Sequence, residues 1–254
     1  MESMNNQVIE QQLNRRSVRN FTGESIKDED LSLILKAAQQ APNAFNAQFV
    51  SLIVTREKDK IQQIAKLAGD QPQVAGADVF ITVVVDFKRG ALVADMMNKE
   101  SQLESSAEGI IGGALDAGIM LSALESAINS LGYGSTIIGG IRNDPEGMVS
   151  LLELPAKTFP IAGITIGVPD ESKASLVRPR LPLESFAMAE KYDVNVVKEG
   201  IVQHDKASRE WWDKQNLNQM PAYIESVGNF SSQVFYKQIA SSFLKQGFEF
   251  KNVD

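Results

Sequence analysis

The sequence predicts a layered domain of helices and strands, of α+β or α/β class, on three observations. Short runs of β-branched and apolar residues alternate with helical patterns along the first two thirds of the chain. A long segment, residues 101–132, carries apolar or small residues on nearly every face, which is typical of a buried helix. The 254 residues, of which 43% are apolar, are enough to bury a full core.

In the first half of the chain, the segments "VIEQQLNRR", "KDEDLSLILKAAQQAP" and "EKDKIQQIAKLAG" are predicted helices. The second begins with acidic residues, which suit the positive end of a helix, and Pro42 marks its end. The third ends at Gly69, because glycine is the residue most typical of a helix C-terminus. The segments "QFVSLIVT" and "DVFITVVVD" are predicted strands, and the second is apolar enough to be covered on both faces.

The second half continues the alternation after the long apolar helix. "STIIGGI" and "FPIAGITIGVP" are predicted strands, and "DPEGMVSLLELP" between them is a helix with Asp144 at its cap and Pro145 at its first position. Beyond residue 186 the pattern changes to amphipathic helices with polar connections. We interpret residues 187–254 as a helical extension that wraps the core or a partner, within a single domain of residues 1–254.

Composition excludes several classes of chemistry. The chain has no cysteine and one histidine, His204, so thiolate metal sites, iron–sulfur clusters, cysteine nucleophiles and multi-histidine metal sites are excluded. A net charge of −7 without a basic stripe argues against nucleic acid as the main partner. We find no uninterrupted apolar run long enough to span a membrane and no secretion signal, so a cytoplasmic protein is expected. Its chemistry must come from a bound cofactor or from polar and charged side chains.

Two basic segments are candidates for a phosphate site. They contain Arg15, Arg16, Ser17 and Arg19 in "NRRSVRNF", and Arg178, Pro179 and Arg180 in "RPRLP". Guanidinium groups match phosphate oxygens, and a serine hydroxyl adds a donor. The alternative is that these arginines are separate surface charges, because nothing in the pattern alone requires the two segments to meet.

Three polar or glycine-rich segments could contact a planar ligand. They contain Asn43, Asn46 and Gln48 in "APNAFNAQF", Gln71, Pro72 and Gln73 in "GDQPQ", and Ile137, Ile138, Gly139 and Gly140 in "IIGGIRND". Amide side chains can read the edge of a heterocycle, and paired glycines let the backbone approach a ligand closely. Ordinary turn chemistry is the alternative for each segment. The G-x-G-x-x-G spacing of a dinucleotide-binding Rossmann half is absent.

Taken in order and spacing, these segments resemble the FMN-dependent nitroreductase superfamily. The similarity runs from about residue 8 to 250, and the subgroup it resembles most is that of NADPH-dependent flavin reductases and oxygen-insensitive major nitroreductases. The resemblance implies an α+β fold with a central mixed sheet flanked by helices. It also implies a homodimer, with the long buried helix at its interface, and tightly bound FMN at that interface.

The resemblance also assigns roles to the candidate residues. It implies that Arg16, Ser17 and Arg19 hold the FMN phosphate, joined by the distal basic segment of Arg178 and Arg180. The asparagine and glutamine segments would lie along the flavin, and the paired glycines would face its reactive N5. The sequence departs from the subgroup at Arg15, where histidine is frequent, at Asn43 and Ala44, where two serines are common, and at Arg178, where lysine is usual.

The resemblance implies an NAD(P)H oxidoreductase that reduces nitroaromatics, quinones or free flavins by a ping-pong mechanism. No residue is identified as a catalytic acid, and no metal is expected. Two alternatives stay open: a non-catalytic flavin-binding sensor, and a superfamily member that uses reduced flavin for other chemistry. Lys206 and Arg209 are the candidates for contacting NADPH. We interpret His204 as a solvated surface residue, and Trp211 and Trp212 as helix-packing residues.

Overall fold

The computed structural model describes residues 6–251. The helices are α1 (Gln7–Leu13), α2 (Asp28–Gln39), α3 (Lys58–Leu67), α4 (Pro72–Ala75), α5 (Phe87–Met96), α6 (Ala107–Ser130), α7 (Pro145–Leu151), α8 (Leu183–Phe186), α9 (Val194–Asp213), α10 (Tyr223–Ser231) and α11 (Ile239–Lys245). The strands are β1 (Val50–Thr55), β2 (Val79–Asp86), β3 (Gly134–Ile138) and β4 (Thr158–Gly167). The chain divides into two compact units, residues 176–237 and the remainder.

The larger unit is built on a four-stranded sheet with the order β1-β2-β4-β3. All three strand pairings within the described residues are antiparallel, so the layered α+β class is confirmed while the sheet differs from the predicted mixed one. Strand direction has no local signature here, because β2 and β4 are apolar on both faces, a pattern more frequent in parallel strands.

The two faces of the sheet support separate hydrophobic clusters. On one face, Ile81 and Val83 of β2 share a cluster with Ile34 of α2 and Leu124 of α6. On the other face, Phe80 of β2 shares a cluster with residues of α3 and α7. The alternation of neighbouring β2 residues between the two clusters follows from the two-residue period of a strand. Helices therefore cover both faces, as the continuous apolar character of β2 predicts.

Helix α6 is buried along one face only. Leu124 and Ile128 lie in the core, whereas Ile111 and Leu115 are each 61% exposed. By length and composition alone, α6 is the one helix within residues 6–251 that could cross a membrane, and its buried face packs on the sheet as a core helix does. Because α6 is apolar on nearly every face, the sequence predicted a buried helix. Within this chain, however, one apolar face of α6 is exposed.

The C-terminal segment of the larger unit returns to the core. Phe248 is buried, and the ring of Phe243 in α11 stacks on Phe159 of β4 with centroids 4.1 Å apart. The backbone N–H of Lys157 donates to the carbonyl of Gln246 at 2.7 Å. Part of the predicted helical extension, residues 238–251, is thus an integral element of the sheet-containing unit, while α8, α9 and α10 belong to the smaller unit.

Candidate functional site

The N-terminal basic segment lies beside the edge of the sheet. The N–H of Val18 donates to the carbonyl of Ser135 at 2.8 Å, and the hydroxyl of Thr136 donates to the carbonyl of Val18. Further along, the N–H of Thr22 donates to the carbonyl of Val168 at 3.0 Å. These bonds hold the segment in an extended form next to β3 and the end of β4.

A small basic cavity opens at this segment. Its volume is about 110 Å³. Its lining comprises Arg16, Ser17, Val18, Arg19, Asn20, Pro169, Asp170, Lys173, Ala174 and Ser175. Three cationic side chains and one carboxylate therefore surround a space smaller than the ~300 Å³ typical of a whole-ligand pocket. The cavity is of a size and charge for one anionic group.

Internal ion pairs orient the cations of this cavity. Arg16 pairs with Glu171 at 2.6 Å, and Lys173 pairs with Asp170 at 3.1 Å. The hydroxyl of Ser175 donates to the carbonyl of Ser17 at 3.2 Å, which ties the two walls together. Glu171 is largely exposed, so its pair with Arg16 is weak and an anion of higher charge can compete with it.

Arg15 points away from the basic cavity. Its guanidinium pairs with Glu125 of α6 at 2.7 Å, and both side chains are mostly buried. It does not line the cavity that Arg16 and Arg19 share. The sequence alone made Arg15 a phosphate-binding candidate like Arg16 and Arg19. In the structure, Arg15 instead connects the N-terminal segment to α6.

The structure brings the glycine pair and the glutamine segment together. A Cβ added to Gly140 would lie 2.2 Å from Nε2 of Gln71 and 2.6 Å from the carbonyl oxygen of Ala68. The amide of Gln71 donates to that same carbonyl at 3.0 Å and accepts from the amide of Gln73 at 2.6 Å. Gly140 is required here because no side chain fits. Ile138, which precedes the pair, is buried, whereas Ile137 is exposed.

The asparagine segment forms a tightly constrained loop. Phe45, Asn46 and Gln48 all have positive φ values of 54–56°, a conformation that costs energy for residues other than glycine. The side chain of Asn43 accepts from the N–H of Gln48 at 2.9 Å. Asp116 of α6, which is buried, accepts from the N–H of Ala44 at 3.1 Å. Several non-glycine residues in this conformation within one short loop are typical of a functional site.

A second cavity adjoins this loop. Its volume is about 500 Å³, and Asn43, Gln48, Asp116 and Arg89 are among its lining residues. Arg89 donates to the carbonyl of Gln48 at 2.7 Å. This cavity and the basic cavity share no lining residue, so the loop and the N-terminal arginines are not brought together within the chain.

The distal basic segment lies in the smaller unit. The guanidinium of Arg178 lies over the rings of Trp211 and Trp212, and Nη1 of Arg180 donates to the carbonyl of Pro179 at 3.5 Å. Both arginines are exposed. A meeting of this segment with the N-terminal arginines stays a prediction.

The interpretation of His204 as a solvated surface residue is wrong. His204 is buried in the smaller unit, and its ring packs edge-on against Tyr223 of α10 with centroids 4.6 Å apart. The polar residues next to it in the sequence lie on other faces of α9. Their polarity therefore does not indicate that His204 is buried. Arg209 on the same helix is engaged internally, donating to the carbonyl of Met220 at 2.8 Å and to Asp213 at 3.0 Å.

Among the polar residues of these sites that were not identified from the sequence are Asp170, Lys173, Ser175, Asp116 and Arg89. Asp116 could have been found from the sequence, because it is a carboxylate in the middle of an apolar helix. Such a group requires a hydrogen-bonding partner when it is buried. The others lie in ordinary polar surroundings, and only their neighbours in space distinguish them.

These features fit a ligand with a phosphate group. The basic cavity has the charge and size for one phosphate, whereas the space beside Gly140 is filled by Gln71 and Ala68 of the chain itself. A layered α+β unit with such a cavity, at the edge of its sheet, is of the class that can bind a phosphorylated small molecule.

Comparison with known proteins identifies the family. The nitroreductase family model matches residues 13–168, and the model for the C-terminal domain of the same family matches residues 178–251. The chain therefore belongs to the nitroreductase family.

Individual relatives cover nearly the whole chain. The FMN reductase [NAD(P)H] of Bacillus subtilis (strain 168) is 33% identical over 96% of this chain and 98% of its own length. The solved structure of the hypothetical oxidoreductase YcnD from Bacillus subtilis has a TM-score of 0.94 at 32% identity, covering 97% of this chain and 100% of that one. The NADPH:FMN oxidoreductase from Vibrio harveyi, solved in complex with NAD+, has a TM-score of 0.83 at 26% identity, covering 96% and 99%.

Proposed function

We propose that this protein is an FMN-dependent NAD(P)H oxidoreductase that reduces nitroaromatics, quinones or free flavins. The observation that carries the proposal is the basic cavity on the N-terminal segment, beside the strand that leads to the Gly140 and Gln71 contact. Relatives over nearly the full length of the chain are named as FMN reductases and NADPH-flavin oxidoreductases, which supports the same cofactor and electron donors.

The phosphate end of FMN would be bound by Arg16, Ser17, Arg19 and Lys173. Their guanidinium, hydroxyl and ammonium groups are donors that match a dianionic phosphate. The N–H of Val18 donates to the carbonyl of Ser135, and Gly139 lies four residues after Ser135. At ~3.3 Å per residue of a strand, the phosphate end and the ring end of the site are about 13 Å apart. We assign Arg178 and Arg180 to FMN binding as well, as the family resemblance implies.

The ring end would lie against the backbone of Gly139 and Gly140 and the amides of Gln71 and Gln73. Bound FMN supplies the hydride acceptor and donor, so the chain needs no nucleophile of its own. The backbone N–H groups and amides would orient the ring, and the family resemblance implies that the loop of Asn43, Asn46 and Gln48 lies along it. We assign proton delivery to solvent, and no side chain of this chain to the role of catalytic acid.

We infer that the protein works as a homodimer. The exposed apolar face of α6, which includes Ile111, Ala114, Leu115 and Gly118, supports this, because an apolar stripe on a soluble chain is usually covered by a partner. Small residues on that face allow close approach of a second helix. We place two FMN sites at the subunit interface, in a single-domain subunit, and we propose a cytoplasmic location without membrane or nucleic-acid partners.

Anaerobic titration of the purified protein with NADH and with NADPH tests the proposal. The protein should carry yellow flavin absorbance, and a stoichiometric amount of at least one nucleotide should bleach it. A nitroaromatic or quinone added next should restore the absorbance, as a ping-pong mechanism requires. Protein that is colourless and does not regain absorbance with added FMN would contradict the proposed cofactor. Bound flavin that neither nucleotide reduces would contradict the proposed activity.

A further inference from the structure

The smaller unit contains a pair of tryptophans arranged around one arginine. Trp211 and Trp212 are adjacent near the end of α9, with ring centroids 4.5 Å apart and planes inclined by 67°. The guanidinium carbon of Arg178 lies 5.5 Å from the centroid of the first ring and 5.4 Å from that of the second. Both distances are within the ~6 Å range of a cation–π interaction. We call the two tryptophans the aromatic clamp.

The aromatic clamp also holds the backbone that carries Arg178. The indole Nε1 of Trp211 donates to the carbonyl of Val177 at 3.0 Å, one residue before the arginine. The same side chain therefore contacts the guanidinium and restrains the peptide that leads to it. Both tryptophans are partly buried, which restricts their own motion.

The hydrogen-bond donors of the Arg178 guanidinium are available to a ligand. Phosphate oxygens are bound by the in-plane N–H donors of a guanidinium. Arg178 is exposed, and within residues 6–251 its guanidinium has no hydrogen bond or ion pair. Arg209 on the same helix is in the opposite situation, because its donors are taken by Asp213 and backbone carbonyls.

We propose that Trp211 and Trp212 are positioning residues for Arg178, and that they make arginine necessary at this position for tight FMN binding. The proposal rests on the proposed function, in which Arg178 binds FMN. A lysine would keep the charge but has no planar face and no fork of donors. The clamp thus gives a physical reason for arginine and not lysine at position 178.

A double-mutant cycle on the FMN-loaded full-length protein tests this coupling. The variants are Arg178→Lys, the pair Trp211→Leu with Trp212→Leu, and the combination of all three. Dissociation of FMN on dilution is followed by recovery of flavin fluorescence, and circular dichroism reports the fold. We expect Arg178→Lys and the leucine pair each to raise the dissociation constant about five-fold, the size of a ~1 kcal/mol cation–π contact. The combination should bind no more weakly than Arg178→Lys alone.

Conservative and charge controls complete the experiment. The pair Trp211→Phe with Trp212→Phe keeps aromatic faces and should retain part of the affinity, and it replaces the leucine pair in the cycle if that pair does not fold. Lys198→Gln removes an exposed charge from the same helix and should leave FMN binding unchanged. Wild-type affinity in Arg178→Lys, or losses that simply add in the combination, would overturn the proposal. Wild-type protein that binds no FMN would instead contradict the proposed function.

Discussion

At the residue scale, the surroundings of Gly140 and of Arg19 restrict which side chain is suitable at each position. Gly140 has the amide of Gln71 and the carbonyl of Ala68 where its Cβ would be. Arg19 lines a cavity with two other cations, where an anion is the natural occupant. A substitution of Gly140 should therefore lower the stability of the protein, and a substitution of Arg19 should weaken FMN binding. The same substitutions at control positions should do neither.

Gly140→Ala should destabilise the protein by about 1–3 kcal/mol, because the added methyl group overlaps Gln71 and Ala68. Urea unfolding followed by circular dichroism measures the change. Gly228→Ala in α10 is the matched control: nothing lies within 4 Å of its added Cβ, so alanine there should be neutral or stabilising. Equal stability of the Gly140→Ala variant and the wild type would show that the Gln71 contact is not rigid.

Arg19→Glu should abolish tight FMN retention while leaving the fold intact. The substitution replaces a cation of the basic cavity by an anion, so a phosphate would meet repulsion in place of attraction. Flavin absorbance per subunit after gel filtration measures the loss. Lys99→Glu makes the same change of charge at an exposed residue outside the cavity and should keep its flavin. An Arg19→Glu protein that stays fully yellow contradicts the assignment of the phosphate site.

At the element scale, buried carboxylates connect segments that are far apart in sequence. Asp116 of α6 holds the start of the loop at Ala44. Asp78, just before β2, accepts hydrogen bonds from the N–H of Ile26, from Lys58 and from Arg56. In both cases a helix or strand is tied to a loop by a charge that would be costly to bury without those donors.

Asp116→Ala should loosen the loop, because the N–H of Ala44 loses its acceptor and the left-handed residues behind it lose their support. We expect faster hydrogen exchange at the Ala44 amide and a loss of about 1–3 kcal/mol in unfolding free energy. Asp116→Asn retains an acceptor oxygen and should lose less. Unchanged exchange at Ala44 in the alanine variant would mean that the loop is held by Arg89 and the Asn43 cap alone.

The stability of the protein should decrease in acid partly through Asp78. Burial by itself raises the pKa of Asp78, but the hydrogen bonds from Ile26, Lys58 and Arg56 outweigh it and leave the pKa below its usual value. A carboxyl with a lowered folded pKa stabilises the fold above its unfolded pKa of about 3.9, and this contribution is lost as pH falls through the folded pKa. Denaturant unfolding between pH 7 and pH 3 should show a shallower acid decline in Asp78→Asn. A decline as steep as in the wild type would assign the effect to other carboxyls.

At the scale of the whole molecule, the exposed apolar face of α6 is the feature that a single chain leaves unexplained. Its buried face completes the core, and its other face carries large apolar side chains in contact with solvent. The same helix carries Glu125, which binds Arg15, and Asp116, which binds the loop. A partner packed on α6 would therefore lie close to both segments of the proposed site.

Leu115→Glu should weaken the proposed dimer, because it would place a charge within an apolar interface while remaining tolerable on an exposed face of the monomer. Sedimentation equilibrium measures the change, and flavin content should fall in parallel if the FMN sites lie at the interface. Leu115→Met keeps the face apolar and should remain a dimer. A Leu115→Glu variant that sediments as the wild-type dimer would exclude this face as the interface.

The sequence predicted a large share of the elements because their signals are local. The strands at β1, β2, β3 and β4 and the helices at α2, α3, α6 and α7 lie where apolar periodicity, caps and prolines indicated. The helix α5 was missed, because the short helix Phe87–Met96 follows β2 directly, with no loop to separate the two patterns. His204 was misread for a similar reason: the polarity of its neighbours in sequence says nothing about the face it occupies.

The amino-acid order by itself determined the layered α+β class, the candidate basic and glycine segments, and through their joint spacing the family. Only the tertiary structure decided which candidates are neighbours: Arg16 and Arg19 share a cavity with Lys173, Arg15 turns to Glu125, and Gln71 packs against Gly140. The antiparallel direction of the strands was decided there as well. The physical reason is that helix and strand patterns arise from residues a few positions apart, whereas cavities and ion pairs join distant residues, such as Arg16 and Glu171, which are 155 positions apart.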